Sequence, residues 1–336
     1  MIAQKSTQWQ ALSAGAPLER QSVPIRDPKA REVRIRVAAC GLNFADTLML
    51  AGRYQEQPQP PIVPGMEISG WIDALGPQVA GLAQGARVAV FAGSGGLADY
   101  VYAPAEACVL LPDSVDLDAG AAFQVVYGTA HLALWHRARL RHGERLVVTG
   151  AAGGTGLASV QVGALLGAEV VAIARGPEKL RLAQKAGATH LIDAAAPDLR
   201  AQIQALGGAD VAIDTVGTPL WDALLRSANP EARLFPLGFA GGEVPQIKAN
   251  HLLVKNLSVY GFYWGGYRHF APGVFRDSLA HVLDWIATGA LDVRIGARVP
   301  FDRADEGLDM IRNRQARGKI VVTLPVEGFS RGRSHA

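Results

Sequence analysis

The stretch RLVVTGAAGGTGLASVQVGALLGAEVVAIAR, Arg145 to Arg175, decides the fold. Arg145 to Thr149 is a short apolar run of strand character, and Gly150, Gly153 and Gly156 follow at three-residue spacing. Ala158, Val162, Leu165 and Leu166 then recur at helical intervals, before a second apolar run that ends in Arg175. Glycines at such a turn let the chain leave the sheet sharply, let a pyrophosphate approach the backbone, and let the helix pack closely on the strand. The helix start, Gly153, Gly154, Thr155 and Gly156, offers free N–H groups and a partial positive charge to phosphates. A glycine motif alone is weak evidence. The strand before it, the helix after it and the second strand at βαβ distance separate a dinucleotide cradle from an ordinary glycine-rich turn.

The end of the second strand selects the dinucleotide. An NAD site usually places Asp or Glu there, roughly 20 residues past the glycines, to hold the ribose 2′-hydroxyl. Here Val170 to Ala174 ends in Arg175, and Lys179 follows one helical turn on. Two cations suit a 2′-phosphate, which an Arg fork grips with two bonds. The expectation is NADPH; the alternative is that Arg175 and Lys179 form a solvated pair at a helix start.

The chain has 336 residues, enough for two domains, and 49% of them are hydrophobic against 19% charged. A net charge of +3 gives no argument for nucleic acid or a membrane surface. Cys40 and Cys108 lie far apart, fit no zinc or redox spacing, and read as reduced core thiols. MIAQKSTQWQ at the start lacks the basic and apolar regions of a secretion signal. No apolar run reaches the roughly 18–20 residues that cross a bilayer. The expectation is a soluble cytoplasmic protein.

Up to about Phe123 the pattern is short strands broken by turns, such as Val33–Ala39, Ile68–Leu75, Ala86–Phe91 and Tyr100–Ala103. That is β-barrel material. From about Val125 the period changes to helices alternating with strands, the signature of a doubly wound parallel sheet. Helices are expected at Tyr127–Leu140, Glu178–Ala186, Asp198–Leu206, Leu220–Ser227 and Phe275–Thr288. Strands are expected at His190–Asp193, Asp210–Thr215, Arg233–Leu237, Leu257–Tyr263 and Lys319–Leu324, and a disordered polar tail from Glu327. The dinucleotide fold, residues 124–264, is thus an insert, and residues 1–123 and 265–336 form the other domain.

Several strings resemble the medium-chain dehydrogenase/reductase superfamily, and within it the zinc-independent, zeta-crystallin-like quinone oxidoreductases. They are CGLNFADTLMLAGRY from Cys40, PGMEISG from Pro64, VVYGTAHLAL from Val125 and GAAGGTG from Gly150. LGFAGGEVP from Leu237, YGFYWGGY from Tyr260 and ARGKIVV from Ala316 extend the match over about residues 30 to 325. The resemblance implies a GroES-like β-barrel domain with a Rossmann domain, NADPH as cofactor, and a homodimer or homotetramer. In the zinc-dependent relatives a Gly-His-Glu string carries a ligand, but here it reads Gly65-Met66-Glu67, and the position of the ligand Cys falls on Asn43. A thioether is a poor partner for zinc, so no metal site is expected and Glu67 reads as a structural carboxylate.

Without a Lewis acid, the acceptor must spread the incoming charge itself, as quinones and α,β-unsaturated carbonyls do. The alternatives are an enoyl-thioester reductase and a non-enzymatic, crystallin-like NADPH-binding protein. By resemblance, Asn43 and Tyr54 line the nicotinamide cleft as catalytic candidates. Asn43 either bonds a substrate oxygen or ribose hydroxyl, or caps a helix at Phe44; Tyr54 either donates to substrate or packs. Thr129 falls near the nicotinamide, and Gly217, Gly238, Phe239 and Ala240 fall at carboxyl ends of Rossmann strands. Tyr263 and Trp264 either wall the nicotinamide or belong to an aromatic core or dimer surface, while Arg314 and Lys319 resemble basic residues near the cofactor phosphates. The eight histidines form no spaced ligand pair.

Overall fold

The computed structural model describes residues 5–325, so the polar tail from Glu327 lies outside the described residues. The chain forms two units, one of Met1–Val125 with Ile286–Ala336 and one of Val126–Trp285. The first unit opens with seven strands: β1 (Lys5–Ala11), β2 (Leu18–Pro24), β3 (Glu32–Leu42), β4 (Glu67–Leu75), β5 (Arg87–Phe91), β6 (Tyr100–Pro104) and β7 (Cys108–Leu110). The second unit carries β8 (Arg145–Thr149), β9 (Glu169–Ala174), β10 (His190–Asp193), β11 (Ala209–Asp214), β12 (Ala228–Pro236) and β13 (Ser258–Val259). Strands β14 (Ile295–Pro300) and β15 (Lys319–Thr323) return to the first unit.

In the first unit β1 and β2 form a hairpin, and a mixed sheet runs β14-β15-β3-β4-β5-β7 with β6 also on β3. The alternation in β3 explains its first half: Val33, Ile35 and Val37 are fully buried, while Arg34 pairs with Asp73 at 2.5 Å and Arg36 lies over the Tyr100 ring. From Ala38 onward every residue of β3 is buried. There β15 joins antiparallel, with Leu42 opposite Ile320, and β4 flanks the other side, with Gly41 opposite Glu67. This register brings Lys319 and Glu67 to the end of β3, where Asn43 follows.

In the second unit the strand order is β10-β9-β8-β11-β12-β13, all parallel. Continuous apolar runs such as Leu146–Val148 and Val170–Ala174 are buried, as strands covered on both faces require. The core gathers Val147, Ile173, Ile203, Trp221, Leu224 and Leu234. Chain order reverses between β8 and β11, and loops at the carboxyl ends there are the usual place for a ligand in such sheets.

Three expectations need correction. The second unit extends to Trp285, so residues 265–285 belong to it and not to the first unit. The helix Pro272–Ala287 explains this: its Ser278 meets His131 at 2.8 Å and its Phe275 packs on Trp264. The expected strand Leu257–Tyr263 shrinks to β13; beyond it the ring of Tyr260 stacks on Phe235 at 4.8 Å, and aromatic packing takes over from the ladder. The expected helix from Tyr127 begins at Gln124 and changes at Leu132 into a π-helix that ends at Ala138.

Candidate active site

The glycine turn expected to cradle a dinucleotide lies wholly in the second unit. Gly150 leaves β8 at φ 60°, where a Cβ would fall 2.3 Å from the Thr215 hydroxyl. A Cβ on Gly156 would fall 2.1 Å from the Gly150 carbonyl oxygen, so the helix Gly154–Leu165 sits against the turn at a distance only glycine permits. Gly153 is the exposed N-cap, and the first bond within the helix runs from Leu157 N–H to Gly153 O at 2.8 Å. The N–H groups of Gly154, Thr155 and Gly156 precede that bond and therefore face out of the helix end.

Asp214 organises the neighbouring strand ends. It is fully buried, accepts from the Thr149 hydroxyl, and accepts the N–H groups of Val216 and Gly217, each at 3.0 Å. Burial pushes its carboxyl above the ordinary range, and those three donors oppose the rise. Gly238 N–H and Ala240 N–H then bond the Asp214 and Thr215 carbonyls, so the loop after β12 is tied to the loop after β11. Gly217, Gly238, Phe239 and Ala240 thereby form one group, with Phe239 40% exposed beside Gly217.

Arg175 is exposed just past β9, and Lys179 is half-buried in the helix Pro177–Lys185. An acid does approach this turn: Asp193, at the end of β10. Its carboxylate is engaged by the N–H groups of Gly176 at 3.2 Å and Ala195 at 2.9 Å. Thr129 is half-buried on the helix Gln124–His131. Tyr263 is half-buried, whereas Trp264 is 5% exposed, its indole against Gly128 and 4.7 Å from Phe275. The ring of Trp264 thus packs within the second unit, as the core alternative expects.

In the first unit the structure joins residues that the sequence separates. Lys319, 3% exposed, sends its ammonium to Glu67 Oε1 at 2.6 Å, Asn43 Oδ1 at 2.8 Å and Leu42 O at 2.8 Å. The Asn43 amide donates to Glu67 Oε1 at 3.0 Å and Gly41 O at 3.3 Å. The other oxygen of Glu67, which is fully buried, accepts Val125 N–H at 3.0 Å. Asp46 completes the cluster, accepting the N–H groups of Asn43 and Gly65, each at 2.8 Å. Met66, 2% exposed, lies beside Glu67 in the chain.

Two residues named by the resemblance meet here. The three donors of Lys319 are all engaged within the cluster. Asn43 has no amide hydrogen left for a substrate oxygen; lysine only donates, so the Asn43 oxygen must face Lys319 and its NH₂ must face Glu67. One lone pair of Oδ1 remains, an acceptor for a hydroxyl. Asn43 also begins the helix Phe44–Leu50, with the reciprocal cap supplied by Asp46. Tyr54 is half-buried in the following loop, and Arg314 is exposed, with φ 58°, past the helix Ala304–Arg312. Asp46 and the pairing of Glu67 with Lys319 were missed in the sequence. The available signal was Asp46 three residues after Asn43, the spacing of a capping box.

Residues 29–113 match the family model for the alcohol dehydrogenase GroES-like domain, and residues 154–287 match that for zinc-binding dehydrogenases. The chain is 39% identical to a quinone oxidoreductase-like protein 2 homolog of Nematostella vectensis, over 87% of this chain and 81% of that one. It is 38% identical to quinone oxidoreductase-like protein 2 of Bos taurus, over 92% and 89% of the two chains. The solved quinone oxidoreductase of Thermus thermophilus, also known in complex with NADPH, aligns with TM-score 0.84 at 33% identity, over 95% of this chain and all of that one. The fold, a GroES-like unit with a Rossmann sheet, is that of the medium-chain dehydrogenases/reductases. The chain belongs to their quinone oxidoreductase family.

Removing one partner of a buried ion pair leaves an uncompensated charge. Lys319→Met should therefore cost about 3–5 kcal/mol in urea unfolding, and adding Glu67→Gln should restore most of it. Equal losses in the single and double variants would contradict the coupling.

Burial raises Asp46 to about 6, against the N–H groups of Gly65 and Asn43 and the charge of Lys319. A folded value above the unfolded one means that the native state takes up the proton first as pH falls. Asp46 thus adds stability as pH drops through about 6, and that gain levels off below the unfolded value near ~4. Relative to Asp46→Asn, the wild-type urea midpoint should rise between pH 7 and pH 4; a constant gap would contradict the assignment.

Proposed function

We propose that this protein reduces quinones or α,β-unsaturated carbonyls with NADPH and without zinc. The observation that carries the proposal is the closed donor set at the end of β3. Asn43 and Glu67 are bonded to the Lys319 ammonium, and their neighbour Met66 offers only a thioether. Among the described residues no group of three His, Cys, Asp or Glu side chains has the arrangement of a metal site. That donor chemistry suits an acceptor whose own conjugation absorbs the charge.

The glycine cradle fits a dinucleotide, because a side chain at Gly156 would fill the space between helix and turn. Gly153, Gly154, Thr155 and Gly156 would hold the pyrophosphate at the helix end. Arg175 and Lys179 would hold the 2′-phosphate, with Asp193 already engaged by backbone N–H groups. Gly217, Gly238, Phe239 and Ala240 supply a backbone-lined surface at the strand ends. When bound, NADPH supplies the hydride. Asn43 would accept from a hydroxyl through its remaining lone pair, and Tyr54 would donate a hydrogen bond to the acceptor oxygen.

One assay tests both halves of the proposal: cofactor oxidation with 1,4-benzoquinone, a linear enone and the matching saturated ketone. The conjugated acceptors should turn over with NADPH, and the saturated ketone should be reduced far more slowly. Losing a charged bidentate contact costs about 1.5–3 kcal/mol, so Arg175→Ala should weaken NADPH tenfold or more and leave NADH nearly unchanged. Equal use of NADH and NADPH by the wild type, or faster reduction of the saturated ketone, would contradict it.

A further inference from the structure

We propose that the second unit carries a separate anion-binding pocket that takes a phosphate-bearing small molecule. The pocket measures about 400 Å³ and is lined by Arg137, Arg139, Arg141, Arg233 and Tyr260. That volume lies within the usual range of small-molecule sites. Most of its wall comes from the run HRARLR, His136 to Arg141, which leaves the π-helix Leu132–Ala138 and leads towards β8.

The charge there is not balanced from within. Glu144 binds Arg233 at 2.5 Å and accepts the Arg141 backbone N–H at 2.8 Å. The guanidinium groups of Arg137, Arg139 and Arg141 have no carboxylate partner among the described residues. Three such charges equal the formal net charge of the whole chain, +3, gathered at one concave place. Holding like charges together costs energy that a bound anion would remove.

Two of the lining guanidinium groups are held in place, while Arg139 and Arg141 are exposed. Arg137 lies over the Tyr260 ring at 5.1 Å, and Tyr260 is itself stacked on Phe235. Arg233 donates to Ala138 O at 2.6 Å as well as to Glu144. Arg139 sits at φ 49° and ψ 52°, the left-handed region where Gly or Asn costs less, so backbone preference does not account for an arginine there. Planar guanidinium forks match phosphate oxygens in pairs, which makes a phosphate or diphosphate group the fitting ligand.

This pocket is distinct from the cradle. Arg233 pairs with Val211, and Val211 with Leu146, so it lies at the amino-terminal end of β8. Gly150 follows the carboxyl end of the same strand, roughly 13 Å further along at ~3.3 Å per residue. A dinucleotide held at the carboxyl ends of the strands leaves the pocket open to a second ligand.

Thermal unfolding with inorganic pyrophosphate as the probe, at constant ionic strength, tests the proposal. The full-length wild type should gain about 2 °C or more at saturating pyrophosphate. The Arg137→Ala/Arg141→Ala variant should lose most of that gain, and Arg175→Ala, at the cradle, should keep it. Arg139→Gly relieves the left-handed turn, so it should fold at least as well as the wild type and yet bind pyrophosphate several-fold more weakly. No gain in the wild type would overturn the proposal. So would a gain that survives in Arg137→Ala/Arg141→Ala, or one lost only in Arg175→Ala, which would place the ion at the cradle.

Discussion

The contact on which the first unit's site depends is the one between the Lys319 ammonium and the Glu67 carboxylate, both out of water. Desolvating two such charges costs several kcal/mol each, and close geometry with further hydrogen bonds must offset it. Here the offset is complete in hydrogen-bonding terms. Lys319 reaches three acceptors, and Glu67 receives Asn43 and the Val125 N–H in addition. The pair joins β15 to β4 across the end of β3 and fixes the Asn43 amide between them. A cluster in which every strong donor is answered leaves Asn43 one way to act, as an acceptor.

The second unit reaches a ligand-ready surface by another route. Its cradle is made of backbone, brought close by glycines, and its strand-end loops are tied together through the buried Asp214. Arg175 and Lys179 add side-chain cations past the end of β9. In the proposed reading backbone would supply the general affinity for a dinucleotide and side chains would choose between its two forms, so cofactor choice should change without the fold changing.

Much of this was legible because it is local. The strand, glycine turn and helix around Gly150 need only neighbours within a few residues, and the strand His190–Asp193 and helix Leu220–Ser227 have the expected bounds. The hairpin β1–β2 was missed because β2, LERQSVP, is mostly exposed and shows no apolar alternation. The role of Lys319 was hidden for a deeper reason: its partners lie 252 and 276 residues away, and only the register of β15 on β3 brings them together. Trp264 was ambiguous because an aromatic residue after a strand suits a ligand wall and a core equally. The helix Pro272–Ala287 is amphipathic, but the pattern of its apolar face does not say against which unit it packs.

The most direct test of the proposal that the protein works without zinc, its Lys319, Glu67 and Asn43 groups being engaged with one another, is elemental analysis coupled to NADPH oxidation before and after chelation. Purified protein should contain no stoichiometric zinc, and prolonged treatment with a strong chelator should leave reduction of 1,4-benzoquinone unchanged. Activity that disappears with the chelator and returns on adding zinc would contradict it.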